Sequence, residues 1–148
     1  MSNGTERSNG TLEAQHLVEL IEQKHIHSKT GIADDQIQPA SLDLTLSSEA
    51  YRMPGSVLAL RDEKVRDLIK NLSLESVNMS QATTLARGQV YLVRLREAFD
   101  LPKDLEAYTN SKSSTGRLDL ATRIIADSSP RYDRLPSGYQ GEIWLELI

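Results

Sequence analysis

The chain has 148 residues, enough for one domain of ordinary size, and its 39% hydrophobic and 26% charged content is typical of soluble globular proteins. A formal net charge of −4 and only 5% aromatic residues argue against a surface that attracts nucleic acid or an anionic membrane. The sequence has no cysteine, which excludes disulfides, thiolate metal ligands and a thiol nucleophile. Any anion site must therefore be built locally, from a few cations and backbone N–H groups.

The amino-terminal residues 1–11 are polar and contain the letters SNGT twice, which predicts a disordered tail before a domain that spans residues 12–148. This segment lacks the apolar stretch of a secretory signal, and no apolar run in the chain is long enough to cross a bilayer. Together with the absence of cysteine, these features predict a cytoplasmic protein that binds no membrane.

The segments that follow alternate between helical and strand-like patterns. Residues 12–25 carry apolar side chains at helical spacing and predict an amphipathic helix, and residues 62–72 predict a second, short helix. The alternating leucines of IQPASLDLTL, residues 37–46, predict a strand, as does the apolar run over 89–99. The last segment, GYQGEIWLELI, residues 138–148, predicts a turn followed by a strand. Short strands separated by Pro and Gly turns indicate a mainly β domain.

The three histidines do not form a metal-binding pattern. His25 and His27 are two residues apart, His16 is remote from both, and neither cysteine nor an H-E-x-x-H motif accompanies them. The sequence therefore predicts no metal site, zinc included.

The stretch KSSTGR, residues 112–117, combines three hydroxyl groups with two cations. Gly116 permits close backbone approach, and Lys112 and Arg117 supply positive charge. Such a set suits a polyphosphate, although the Walker spacing is absent. On composition alone an ordinary polar loop is the better explanation, because Ser, Thr and Gly are common loop residues, and both interpretations remain open.

A second candidate lies in the final strand, where Glu142, Trp144 and Glu146 share one face because alternate residues point the same way. A carboxylate beside Trp on a partly apolar face is a candidate general acid or base. The alternative is a solvent-facing Glu146, because charged side chains are mostly exposed.

Taken together, KSSTGRLDL and the later SGYQGEIWLEL resemble the paired S-S-x-x-R and G-[YW]-x-G-x-[IV]-x-L-E motifs of the dCTP deaminase branch of the dUTPase-like superfamily. IQPASLDLTL resembles the early strand of the same family. The resemblance covers residues 12–148 and points to the N-terminal part of a longer, two-domain bacterial form. Because the chain ends at Ile148 within an apolar strand, we expect a domain that is incomplete at its C-terminus, unless this strand pairs with another subunit.

The resemblance implies a distorted β-barrel or jelly roll with an N-terminal helix and a further short helix, assembled as a homotrimer with active sites between subunits. It implies conversion of dCTP to dUTP and ammonia, with Mg²⁺ carried on the nucleotide triphosphate and no zinc. Glu146 would take and return a proton, Ser113 would position the water, and Arg117 would support the site electrostatically. The nucleotide-binding residues implied in this way are Lys112, Ser113, Ser114, Thr115, Gly116, Arg117, Trp144, Leu145 and Glu146.

The chain departs from the family pattern at two positions, with Lys112 in place of the usual Arg and Asp119 in place of Gly. Lysine keeps the charge but loses the bidentate fork of arginine. A dUTP or dCTP pyrophosphohydrolase of the same fold is the nearest alternative function. The glutamate five residues after Gly141 favours cytosine chemistry, since the matching dUTPase position is usually apolar. A third alternative is a catalytically silent fragment that lacks the later strands.

Overall fold

The structure is a computed structural model that describes residues 10–148, so most of the predicted polar tail lies outside the described residues. Its helices are α1 (Ala14–Glu22), α2 (Val65–Leu72) and α3 (Ser113–Gly116), with a 3-10 turn at Asp34–Gln36. Its strands are β1 (Ile26–Ser28), β2 (Leu46–Met53), β3 (Glu75–Asn78), β4 (Val90–Asp100), β5 (Ala107–Tyr108), β6 (Thr122–Ala126), β7 (Arg134–Leu135) and β8 (Gln140–Leu147). The predicted mainly β class is confirmed. No helix of residues 10–148 is sufficiently long and apolar to span a bilayer.

Six strands form one antiparallel sheet, in which five follow the order β3–β2–β4–β8–β6 and the sixth, β1, pairs with β4. The long strand β4 pairs with β8 along one edge, and along the other with β2 through its first half and β1 through its second. Strands β5 and β7 form a separate two-stranded sheet. The outer strands β3 and β6 do not pair with each other, so the sheet in residues 10–148 is open rather than closed into a barrel.

Each face of the six-stranded sheet carries an apolar core. On one face, Ile143 of β8 packs in a cluster with Leu17 of α1. On the other face, Trp144 packs in a cluster with Val65 and Ile69 of α2. Because neighbouring residues of β8 point to opposite cores, the strand is buried on both sides and reads as an almost continuous apolar run. Glu146 belongs to this buried strand, which fixes the position of its backbone.

Four of the five predicted elements are confirmed. The helix predicted over 12–25 is α1, the helix predicted over 62–72 is α2, and the strand predicted over 89–99 is β4. The final turn and strand correspond to β8. In these segments the periodicity of the apolar residues reflects a face that packs on one of the two cores.

The strand predicted over residues 37–46 is wrong for most of its length. Only an isolated bridge joins Ile37 to Leu42, and β2 begins at Leu46. The backbone turns back on itself instead, because the Gln38 N–H donates to the Ser41 carbonyl at 2.8 Å. Leu42 and Leu44 pack on the α1-side core. The alternating leucines that predicted a strand therefore hold an irregular segment against the sheet.

Candidate active site

Glu146 lies near the end of β8, on the α2 side of the sheet, and its side chain is 0% exposed. Strand β8 is an interior strand, so Glu146 faces Leu92 of β4 on one side and Arg123 of β6 on the other. The expected common face of Trp144 and Glu146 is confirmed, because Trp144 packs in the α2-side core and the Glu146 carboxylate contacts Val57, which packs against the same core. The alternative of a solvent-facing Glu146 is wrong.

The buried carboxylate receives hydrogen bonds from three residues. Arg123 donates from Nε to Oε1 at 3.0 Å, and its Nη2 donates to the same oxygen. Ser56 Oγ donates to Oε1 at 3.2 Å, and the Val57 N–H lies 3.4 Å from Oε2. A buried carboxylate is stable only when it is paired and hydrogen-bonded, and these contacts meet that requirement.

Arg123 is itself fixed by its surroundings. Its guanidinium carbon lies 4.0 Å from the centre of the Tyr132 ring, a cation–π arrangement, and its Nη2 donates to Ser56 Oγ at 3.1 Å. The Tyr132 hydroxyl donates to the Val57 carbonyl at 3.4 Å, which closes a ring of contacts. The hydrogen bond to Glu146 raises the pKa of Arg123, so the guanidinium remains charged across the physiological range. We call Ser56, Val57, Arg123 and Tyr132 the Glu146 cage.

Within the segment KSSTGR, residues Ser113–Gly116 form the single helical turn α3, with Lys112 and Arg117 at its two ends. The turn is largely exposed on the surface of the chain. Within residues 10–148, side-chain hydrogen bonds and ion pairs are absent from Ser113, Ser114 and Thr115 of the turn and from Arg117, which follows it.

The base of α3 is held at the same end of the sheet as Glu146. Ser111 Oγ donates to the Thr122 carbonyl at 3.2 Å, and Thr122 pairs with Leu147 in the β6–β8 ladder. Lys112 Nζ forms an ion pair of 2.6 Å with Asp43 Oδ2. The two motifs found in the sequence thus lie at one end of one sheet, but no hydrogen bond in residues 10–148 joins Ser113 or Arg117 to Glu146.

Two of the implied nucleotide-binding side chains point into the protein. Trp144 is buried, with its ring centre 5.3 Å from the guanidinium carbon of Arg66 and 6.0 Å from the ring of Tyr51. Leu145 points to the opposite face and packs on the α1-side core. In this structure these side chains support the strand around Glu146, and their contact with a nucleotide stays a prediction.

The GYQG part of the second motif shapes the entrance to β8. Gly138 has a φ of 69° and Gly141 a φ of 141°, values that L side chains rarely adopt. A Cβ at Gly141 would also lie 3.3 Å from the Tyr139 hydroxyl. That hydroxyl accepts from the Asp127 N–H and donates to the Glu142 carbonyl, and burial raises the pKa of Tyr139. The motif is therefore a turn that fixes how β8, and with it Glu146, enters the sheet.

Sequence reasoning missed the residues of the Glu146 cage. Arg123 belongs to β6, a strand that the sequence analysis did not assign, and its position opposite Glu146 depends on the register of the β6–β8 pair. That register cannot be read from the sequence, because the connection from residue 127 to residue 139 is too long for a defined hairpin turn. Ser56 follows a Pro-Gly turn and gives no chemical signal of its own.

In the described part of the chain, no three His, Cys, Asp or Glu side chains are grouped in a way that could hold a metal ion. His25 has a structural contact, since its Nδ1 lies 2.7 Å from the Asp100 carbonyl oxygen.

Comparison with known proteins gives consistent matches. The family described as "2'-deoxycytidine 5'-triphosphate deaminase (DCD) N-terminal domain" matches residues 8–148. A "dCTP deaminase" of Natronomonas pharaonis is 29% identical over 113 residues, which cover 76% of this chain and 55% of the relative. A "dCTP deaminase, dUMP-forming" of Beutenbergia cavernae is 30% identical over 114 residues, covering 77% of this chain and 56% of the relative.

The fold has a close counterpart among solved structures. The crystal structure of 2'-deoxycytidine 5'-triphosphate deaminase from Agrobacterium tumefaciens matches with a TM-score of 0.91 and 40% sequence identity, over 95% of this chain and 42% of that chain. The chain therefore spans about half the length of the curated relatives that it matches. The matched family, which covers almost the whole chain, identifies it as a member of the dCTP deaminase N-terminal domain family.

Proposed function

We propose that the protein catalyses the deamination of dCTP to dUTP and ammonia. The observation that carries the proposal is the buried Glu146 carboxylate, held by Arg123 at the end of the strand that follows the GYQG turn. A carboxylate fixed in this way is a suitable general base and acid, and the matched relatives are named as dCTP deaminases.

The proposed reaction adds one water at C4 of cytosine and removes the amino group as ammonia. Glu146 accepts a proton from the water as its oxygen attacks C4, and returns a proton to the ring at N3. The C4–N bond of the tetrahedral intermediate then breaks as the amino group takes the proton of the new C4 hydroxyl group, so that ammonia leaves and the C4 carbonyl of dUTP remains. Zinc deaminases activate the water on a metal held by an H-x-E…P-C-x-x-C pattern, and this pattern does not occur in the sequence. Mg²⁺ enters as part of the substrate, on the triphosphate.

Ser113 and Arg117 are proposed to complete the site from a neighbouring subunit. Within one subunit α3 is exposed and does not contact Glu146, and Leu118 beside it is 71% exposed. A homotrimer that sets α3 of one subunit against Glu146 of the next accounts for both facts. Ser113 then positions the water, Arg117 supports the developing charge, and Lys112 with Ser114, Thr115 and Gly116 contacts the phosphates.

The direct test is release of ammonia from dCTP in the presence of Mg²⁺, measured for the full-length protein and for Glu146→Gln. Loss of a general acid and base should lower kcat by about 100-fold or more. Glu142→Gln is the matched control, because Glu142 lies on the same face of the same strand but pairs with Arg66. Unchanged turnover in Glu146→Gln would reject the assigned mechanism.

The shared site can be tested by mixing two inactive variants. Ser113→Ala subunits retain Glu146, and Glu146→Gln subunits retain Ser113. If the two residues act across a subunit boundary, co-refolded mixed trimers recover roughly a quarter of the sites. If both residues act within one subunit, mixing restores nothing. Light scattering after size exclusion gives the number of subunits independently.

The dUMP-forming relative favours a second outcome, in which the triphosphate is also hydrolysed. Chromatography of the products separates the two reactions, since deamination alone gives dUTP while the combined reaction gives dUMP and pyrophosphate. A cytoplasmic location stays a prediction, which fractionation of cells can test.

A further inference from the structure

We infer that Arg123 and Ser56 are positioning residues that anchor one oxygen of Glu146, Oε1, and leave the other, Oε2, to exchange the proton. This inference rests on the proposed function and assigns a further task within the same site. Neither residue belongs to the motifs that carry the resemblance to dCTP deaminases.

The contacts of the two carboxylate oxygens are unequal. Oε1 accepts from Arg123 Nε at 3.0 Å, from Arg123 Nη2 and from Ser56 Oγ at 3.2 Å. Among residues 10–148, Oε2 accepts only the Val57 N–H, at 3.4 Å, near the limit of a useful hydrogen bond. A carboxylate oxygen has two lone pairs, so Oε1 is saturated while Oε2 retains acceptor capacity. The Glu146 side chain is 0% exposed, so a substrate group or water reaches Oε2 once the atoms that cover it move, and the weak Val57 contact is the hydrogen bond that it then replaces.

The anchor is rigid for a structural reason. Arg123 stands directly opposite Glu146 in the β6–β8 ladder, so the backbone fixes the separation of the two side chains. The ring of Tyr132 supports the guanidinium from the other side at 4.0 Å. Ser56 comes from the connection after β2 and bonds to both partners, which ties a third element to the pair. The Glu146 carboxylate can therefore neither rotate nor withdraw without breaking several bonds.

The cation in contact with Glu146 within residues 10–148 is Arg123, whereas the sequence motif pointed to Arg117. The two arginines are thus expected to have different tasks. Arg123 keeps the base aligned, and its effect should appear in kcat. Arg117 is exposed on α3 and is proposed to act on the nucleotide from a neighbouring subunit.

The test compares kcat and KM for dCTP in full-length Arg123→Ala, Arg123→Lys and Ser56→Ala. A misplaced base should lower kcat of Arg123→Ala by about 100-fold, with KM within about threefold of the wild-type value. Arg123→Lys keeps the charge but loses the fork that places two nitrogen donors on Oε1, so an intermediate kcat is expected. Loss of the Ser56 hydrogen bond should lower kcat by about tenfold.

Rescue of kcat by added guanidinium ion distinguishes a positioning role of Arg123 from a purely structural one. Added guanidinium should restore part of the kcat of Arg123→Ala and none of the kcat of Glu146→Gln. Arg52→Ala is the matched control, because Arg52 pairs with Glu75 at 2.8 Å and also stands directly opposite it, across β2 and β3. Circular dichroism checks folding, and Arg123→Lys carries the test if Arg123→Ala does not fold.

The outcomes are distinguishable. Wild-type protein that releases no ammonia from dCTP rejects the proposed function itself. Active wild-type protein whose Arg123 variants keep their kcat, or change only in KM, rejects the anchor and leaves the proposed function standing. An equal loss in Arg52→Ala would show that the kinetic effect is not specific to the Glu146 cage, and would also reject the anchor.

Discussion

Lys112 Nζ donates a hydrogen bond of 2.6 Å to Asp43 Oδ2, across 69 residues of sequence. The bond joins two segments that the sequence analysis identified separately, IQPASLDLTL and KSSTGR. The first segment is fixed from behind, because the Gln36 side chain donates to the Asp43 carbonyl and to the buried Glu97. The irregular stretch before β2 is therefore a support for α3, and so for the proposed phosphate contacts.

Asp43→Asn should weaken nucleotide binding more than it weakens the fold. The ion pair is largely exposed on the lysine side, where such pairs contribute about 0.5 kcal/mol, so the thermal midpoint should change little. Freed from Asp43, Lys112 and the start of α3 sample more conformations, and KM for dCTP should rise about threefold to tenfold. Steady-state kinetics and thermal melting measure the two effects side by side.

Lys112→Arg is the control for this prediction, because it keeps the charge and introduces the residue that the family usually has at this position. Its KM should be equal to or lower than that of the wild type, since arginine adds a bidentate fork. A fall in melting temperature of Asp43→Asn without any change in KM would show that the Lys112–Asp43 pair stabilises the fold and does not position α3.

Glu97 should be essential for the stability of the same region. Its side chain is buried, and its hydrogen-bond partners in residues 10–148 are all donors, with the Thr45 N–H at 3.0 Å on one oxygen and Thr45 Oγ1 and Gln36 Nε2 on the other. In Glu97→Gln, either amide orientation sets an NH₂ group against an N–H donor. We expect Glu97→Gln to lower the free energy of unfolding by about 2 kcal/mol in urea titrations.

The neighbouring Arg96→Ala provides the comparison, because Arg96 is exposed on the same strand and should change stability by less than about 0.5 kcal/mol. Equal stabilities of Glu97→Gln and the wild type would mean that the Thr45 and Gln36 contacts contribute nothing net.

Substitution of Arg123 should lower the free energy of unfolding more than substitution of its partner Glu146. Glu146 is 0% exposed, while Arg123 is 37% exposed and can regain water when its partner changes. Arg123→Ala leaves a buried carboxylate without its cation, which should lower the free energy of unfolding by about 3 kcal/mol. Glu146→Gln keeps an acceptor for Arg123 and should lower the free energy of unfolding by about 1 kcal/mol. Urea unfolding of both variants tests the order, and the reverse order would contradict the burial of Glu146.

A few residues show how much of the fold and of the candidate site the sequence predicts. The periodicity of α1, α2, β4 and β8 is set by local packing against the two cores, and local patterns suffice to find such elements. The strand predicted over 37–46 was wrong, because the leucines that hold this irregular backbone against the core alternate in the same way as those of a strand. Glu146 was found through its motif, but its partner Arg123 depends on a strand register that only the folded sheet defines.

Glu49 should give the protein an acid-sensitive contribution to stability. Burial of Glu49 raises the pKa of its carboxyl, but hydrogen bonds from Arg66, Tyr51 and Arg94 outweigh burial and hold the pKa below its ordinary value of 4.5. A group with a lowered pKa in the folded state stabilises the protein above its unfolded value, and this stabilisation is lost as the pH falls through the folded value. The free energy of unfolding should therefore fall with pH below about 4.5.

Glu49→Gln removes this titration. We expect the variant to be less stable than the wild type at pH 7, and the difference to shrink as the pH falls towards 3, because the wild-type carboxyl then becomes protonated as well. Urea unfolding at both pH values measures the difference, with Glu75→Gln as a control for a more exposed carboxylate that pairs with Arg52. A stability difference that is the same at both pH values would show that the Glu49 charge contributes nothing to the acid dependence, and that its hydrogen bonds act as well from the neutral amide.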